Sequence, residues 1–161
     1  MAEPPVVNAS PLIFLSRANV LGLLRLDGGE VLVPLDVADE IERRGPTDVT
    51  ARAIKDNAWL VVVEAPPIPA LIQAWDLGRG ESAVLSWAYN HPGTVAIVDD
   101  LAARRCAAAL GIPVRGTLGL VLAAKERGVI SAARPILDQL RLSGMYLSDR
   151  VMNQALTLVG E

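Results

Sequence analysis

Two adjacent carboxylates, Asp99 and Asp100, stand where the apolar run 96–98 ends. Neighbouring carboxylates repel, and more strongly beside a low-dielectric core than in open water. Helix capping accounts for Asp100, which precedes LAARRC and can accept from the first backbone N–H groups of a helix. It accounts less well for Asp99, whose charge a cation would relieve. Three more residues offer hard oxygen donors. Asn8 follows the β-branched pair VV. Glu81 opens GESAVLSWA, on the same helical face as Val84 and Leu85. Glu40 lies in DVADEIERRG, three residues after Val37 and beside Ile41. Taken singly, Glu81 suits a helix N-terminus and Glu40 the edge of an amphipathic helix. Taken together, an oxygen-rich and histidine-poor set suits Mg²⁺ or Mn²⁺ rather than Zn²⁺. The chain has one cysteine, Cys106, and one histidine, His91 in the turn NHPG. That scarcity argues against zinc and against histidine-based nucleophilic catalysis.

The elements that must position these residues alternate. Apolar strands are expected at VV, EVLVP, LVVVEAPP, TVAIVDD and IPVRG. Helices are expected after each, among them LDVADEIERRG, DVTARAIKDNAW, ESAVLSWAYNH, LAARRCAAALG and TLGLVLAAKERGVI. The stretch from Asn8 to DGG reads as helical, with Ser10 as N-cap and Pro11 at the first helical position. Ser131 and Ser148 are expected to cap two further helices, and Thr117 to cap the one after RG. Short strands, apolar on both faces and separated by helices, imply a three-layer α/β/α fold around a central parallel sheet. No linker or repeat divides the chain, so one domain with a helical C-terminal extension over about 131–161 is expected. In open parallel sheets ligands bind beyond the carboxyl ends of the strands. Asn8 and Asp99 are therefore expected at one rim.

Composition narrows the classes. The 161 residues are 52% hydrophobic but only 4% aromatic, so aliphatic side chains must build the core. The formal net charge of −3 gives no whole-chain basic footprint for nucleic acid. A single thiol, no basic leader and no apolar run near ~20 residues point to a reducing, cytoplasmic setting without a membrane span.

The ordered set VVNASPLIFL, EI, GESAVLSWA and VDDLAARRCAAALGIPVRGTLGLVLAAKERGVI resembles PIN-domain proteins, in particular the branch related to VapC-type toxins. The resemblance runs from Val6 to about Glu161 and is most specific between Asp99 and Ile130. It implies metal-dependent endonuclease cleavage, mostly of RNA, leaving a 3′-hydroxyl and a 5′-phosphate. Carried over, the acidic positions fall on Asn8, Glu40, Glu81 and Asp99, with Asp100 assisting. Asn8 departs from the family's Asp. An amide coordinates through its oxygen without charge, so metal affinity is expected to fall.

The expected roles follow from that resemblance. Glu40, Glu81 and Asp99 are catalytic metal ligands, and Asn8 is a neutral ligand or positions a water. Asp100 is a secondary ligand or a cap. Ser10 and Thr117 support the rim, and Arg104 and Arg115 are candidates for meeting phosphates. Arg17, Arg43, Arg44 and Lys125 read better as solvated faces, and Trp59, Trp75 and Trp87 as packing rather than base stacking. A cognate antitoxin is the implied protein partner. A homodimer through the apolar C-terminal helices stands beside the alternative that they cover the domain's own core. Two other functions compete. One is a PIN-like binding regulator weakened by Asn8. The other is a phosphotransfer domain, which the late position of the Asp pair disfavours. GRGE and GTLG also lack the Lys-Ser/Thr ending of a phosphate loop.

Overall fold

The β-branched runs form strands β1 (Val6–Val7), β2 (Val31–Pro34), β3 (Leu60–Val63), β4 (Ala96–Ile97) and β5 (Val114–Arg115). The computed structural model describes residues 2–161, so of the expected domain only Met1 lies outside it. All five strands are parallel, in the order β3-β2-β1-β4-β5. Register pairs Val6 with Leu32 on one side and with Ala96 on the other. The chain thus winds outward from β1 to β3, then returns to β4 on the other flank of β1. The crevice where the winding reverses lies between β1 and β4.

The helices are α1 (Ala9–Arg17), α2 (Leu35–Glu42), α3 (Val49–Asp56), α4 (Ala70–Gln73), α5 (Arg79–Asn90), α6 (Leu101–Ala109), α7 (Thr117–Glu126), α8 (Arg134–Leu142) and α9 (Asp149–Leu158). They complete the expected three-layer α/β/α arrangement. Helix α5 packs on β1, β2 and β4 with α2, α4 and α6 beside it, while α1 packs with α3, α7 and α8. Leu12, Leu15, Ile41, Leu85, Ile97 and Leu120 are fully buried between these layers. Burial of one such side chain is worth about 1.5–3 kcal/mol. Leu137, Leu140, Met152 and Leu156 from α8 and α9 join the same cluster.

Several local expectations change. Helix α1 stops at Ala18, because Asn19 takes a positive φ of 58°, and the chain resumes as a 3₁₀ segment at Leu21–Arg25. The N-cap of α1 is Asn8, not Ser10, and Pro11 is the third helical residue. Pro is tolerated there because first-turn N–H groups have no intrahelical acceptor. Gly116, not Thr117, is the N-cap of α7. Ala133, not Ser131, precedes α8, and the Glu161 carboxylate accepts from the N–H groups of Ala133 at 2.6 Å and Arg134 at 3.2 Å. Ser148 does cap α9, accepting from Val151 N–H at 3.1 Å. The edge strand β3 is apolar on both faces as expected but not buried on both, since Val62 is 44% exposed. No described helix is long and apolar enough to cross a membrane.

Candidate functional site

Asn8 is the first residue beyond β1 and is buried at 3% exposure. Its backbone N–H bonds Ile97 O at 3.0 Å, fixing the end of β1 against β4 two residues before Asp99. An Asn at an N-cap usually turns its side chain back onto the helix. Here it caps nothing, and Nδ2 instead donates to Glu81 Oε1 at 3.2 Å.

Glu81 reaches that position because α5 begins at Arg79, which leaves Glu81 half-buried in its first turn. Two glycines make the approach possible. A Cβ at Gly78 would lie 2.5 Å from Glu81 Oε2, and one at Gly80 2.9 Å from Asn8 Oδ1. A side chain at Gly80 would press on the buried Asn8, and one at Gly78 would displace the end of the Glu81 side chain.

Asp99 is held from the other flank. Thr117, fully buried, donates its backbone N–H to Oδ1 and its hydroxyl to Oδ2, both at 2.7 Å. That second bond explains why Thr117 does not cap α7: its hydroxyl serves a neighbouring strand end. Gly116 is again bare, since a Cβ there would lie 2.6 Å from Arg104 Nη1 and 3.1 Å from Asp99 Oδ1. Asp100 caps α6 as expected, accepting from Ala103 N–H at 2.9 Å. The adjacent carboxylates are therefore each met by oriented hydrogen-bond donors.

Glu40 sits apart from these contacts. It is exposed and lines a cleft of 230 Å³ with Asp36, Arg43, Arg79 and Gly80. Gly80 is the link, touching Asn8 on one side and this cleft on the other. Arg79 pairs with Asp36 at 2.9 Å across it. Ser10 is the second residue of α1 and half-buried. The exposed Arg104 carries its guanidinium over Gly116, beside Asp99. The Arg115 guanidinium turns instead towards Asp27, 4.0 Å away, which also pairs with Arg127.

The structure thus joins Asn8 to Glu81, sets Asp99 and Thr117 at the same rim, and leaves Glu40 in the adjoining cleft. Among the described residues no three Asp, Glu, His or Cys side chains come together as a group able to hold a metal ion. The donor set at the rim is two carboxylates and an amide. Mg²⁺ keeps several waters and is often bound by one or two carboxylates together with substrate phosphate. The hard oxygens and the glycine cradle fit an ion of that habit better than one needing a full protein cage.

Other reactive groups are engaged elsewhere. Burial pushes the Cys106 thiol up, away from nucleophilic range. His91 shares a hydrogen bond through Nδ1 with Trp87 O at 2.8 Å and stacks on the Trp87 ring at 4.1 Å. Sequence reasoning missed Gly78, Gly80 and Gly116. Their signal was present: two glycines around a helix start are a propensity cost that close approach would justify.

A family model described as a PIN domain matches residues 4–161. No curated protein and no solved structure gave a match.

Proposed function

The chain belongs to the PIN-domain family, which carries nuclease-type function on nucleic acids with divalent metal ions in general, and from that premise we propose that it is an endoribonuclease of the VapC-like toxin type. The observation that carries this reading is the glycine cradle at the reversal of the winding. Three positions are kept bare against Glu81, Asn8, Asp99 and Arg104. At Gly80 and Gly116 the polar atoms so approached belong to the buried Asn8 and to the Asp99 carboxylate held by Thr117.

In this reading Glu81 and Asp99 would hold Mg²⁺ or Mn²⁺, with the Asn8 amide oxygen as a neutral third donor and Glu40 contributing from its adjoining cleft. The bound ion would acidify a water and shield charge on the scissile phosphate. The protein's own part is orientation. Thr117 fixes both oxygens of Asp99, the Asn8 amide steadies Glu81, and Arg104 offers a cation to phosphate beside Asp99. Asp100 keeps α6 anchored at the rim. The partners of this reading are RNA, an antitoxin covering the rim, and a second copy. For the last, Leu142, Tyr146 and Leu158 are 84%, 89% and 75% exposed.

The test is cleavage of varied RNAs by purified protein with Mn²⁺, alongside calorimetric Mn²⁺ titration of wild type and Asp99→Ala. Cleavage and binding in wild type, both lost in Asp99→Ala, are expected. Intact RNA at high Mn²⁺ would overturn the reading. One observation favours a second function, a binding regulator on the same fold. Asn8 donates to Glu81, a contact an ionised Asp could not make. A large gain of cleavage in Asn8→Asp would show that the natural site is held weak.

A further inference from the structure

A cleft of about 750 Å³ lies away from the acid rim. It is bounded by the C-terminal end of α1, the 3₁₀ segment, α3 and Trp59. Trp59 immediately precedes β3, and its carbonyl accepts from Val31 N–H at 2.9 Å. The cleft therefore opens at the amino ends of the parallel strands, whereas Asn8 and Asp99 follow their carboxyl ends. Its volume lies within the range of about 300–1,000 Å³ typical of small-molecule sites.

We infer that this cleft binds a nucleoside phosphate, either as a free mononucleotide or as one unit of a single RNA strand. The Arg25 guanidinium lies over the Trp59 ring, 5.2 Å from its centroid, and Nε donates to Gly29 O at 3.1 Å. That tether holds a planar cation on an aromatic face, and guanidinium planes are stacking platforms for bases. Arg52 lines the same cleft. The ion pairs among the described residues involve other cations, leaving Arg25 and Arg52 available to a phosphate. Asn19 and Asn57 bring amide groups suited to base edges. Asn57 donates Nδ2 to Ala53 O at 2.8 Å, which leaves its oxygen to accept. Asp56 adds one carboxylate to the lining, an acceptor for an exocyclic amine and a repulsive neighbour for a second phosphate.

The inference is independent of the nuclease reading and is tested with EDTA present, which withdraws any metal ion from the rim. Calorimetry with adenosine monophosphate, inorganic phosphate and a short single-stranded RNA separates the sources. Saturable binding of the mononucleotide assigns the cleft to free nucleotides, and binding of the strand alone that Arg52→Gln weakens assigns it to RNA. Arg25→Gln and Arg52→Gln each remove one charged contact and should weaken binding about tenfold. Both arginines are exposed, so thermal melts should show folded variants, and Arg52→Gln decides if Arg25→Gln does not fold. The inference is overturned if neither probe binds. It is equally overturned if inorganic phosphate binds as tightly as the mononucleotide, or if Arg52→Gln binds as wild type does.

Discussion

The two flanks of the acid rim hold their carboxylates differently. On the β4–β5 side, Asp99 receives two short bonds from one buried residue, a backbone N–H and a hydroxyl at 2.7 Å each. On the β1–α5 side, Glu81 has a single 3.2 Å bond from the neutral amide of Asn8. The first arrangement is fixed by strand register and leaves the carboxylate little freedom. The second depends on one contact between side chains, which a ligand can replace without moving the backbone. A rim with one rigid and one adjustable carboxylate suits an ion delivered together with its phosphate.

That contrast can be broken, beginning with the strongest perturbation. Asp99→Ala should lower Mn²⁺ affinity by more than about 100-fold in calorimetry, because no neighbour replaces a carboxylate held by Thr117. Thr117→Val should reduce affinity about 10–100-fold and lower stability by about 1.5–3 kcal/mol in chemical denaturation. Thr117→Ser should restore most of both. If Thr117→Val melts and binds like wild type, the rigid flank is not rigid. Asn8→Asp should act in the opposite direction, raising Mn²⁺ affinity about tenfold while destabilising the metal-free protein. An unchanged titration would show that the adjustable flank takes no part in binding.

A smaller effect lies outside the rim and controls for it. Asp48 caps α3, accepting from Thr50 and Ala51 N–H at 3.1 Å. Burial tends to raise its carboxyl, but the Ala51 N–H, the Arg44 guanidinium and the Thr50 N–H outweigh it and leave it below the ordinary carboxylate value. A carboxyl lowered by folding stabilises above its unfolded pKa of about 3.9 and loses that contribution as pH falls through the folded value. Asp48→Ala should cost about 1 kcal/mol near neutrality, and the cost should fade in strongly acidic melts. Metal affinity should not change.

The same contrast marks how much could be read from the chain. Alternation of apolar runs and helices set the layers, and the rim followed because parallel strands place Asn8 and Asp99 at one edge. Asp100 was legible as a cap because its partner is three residues away. The partner of Thr117 was not, since its hydroxyl meets Asp99, across the rim. Nor was the start of α8, whose free N–H groups meet a carboxylate at Glu161. Caps satisfied by distant side chains leave no local pattern. Glu40 shows the converse: helical spacing set it beside Ile41 but could not say that Gly80 stands between it and Asn8.

Strand β1 is only two residues long, and on one flank it pairs with residues 96 and 97. Contacts between such distant segments form late, since a long loop must close first. A chain emerging from the ribosome therefore carries Asn8 long before Asp99 and Thr117 exist to complete the rim. A growing polypeptide therefore carries no complete rim until residue 117 has been made.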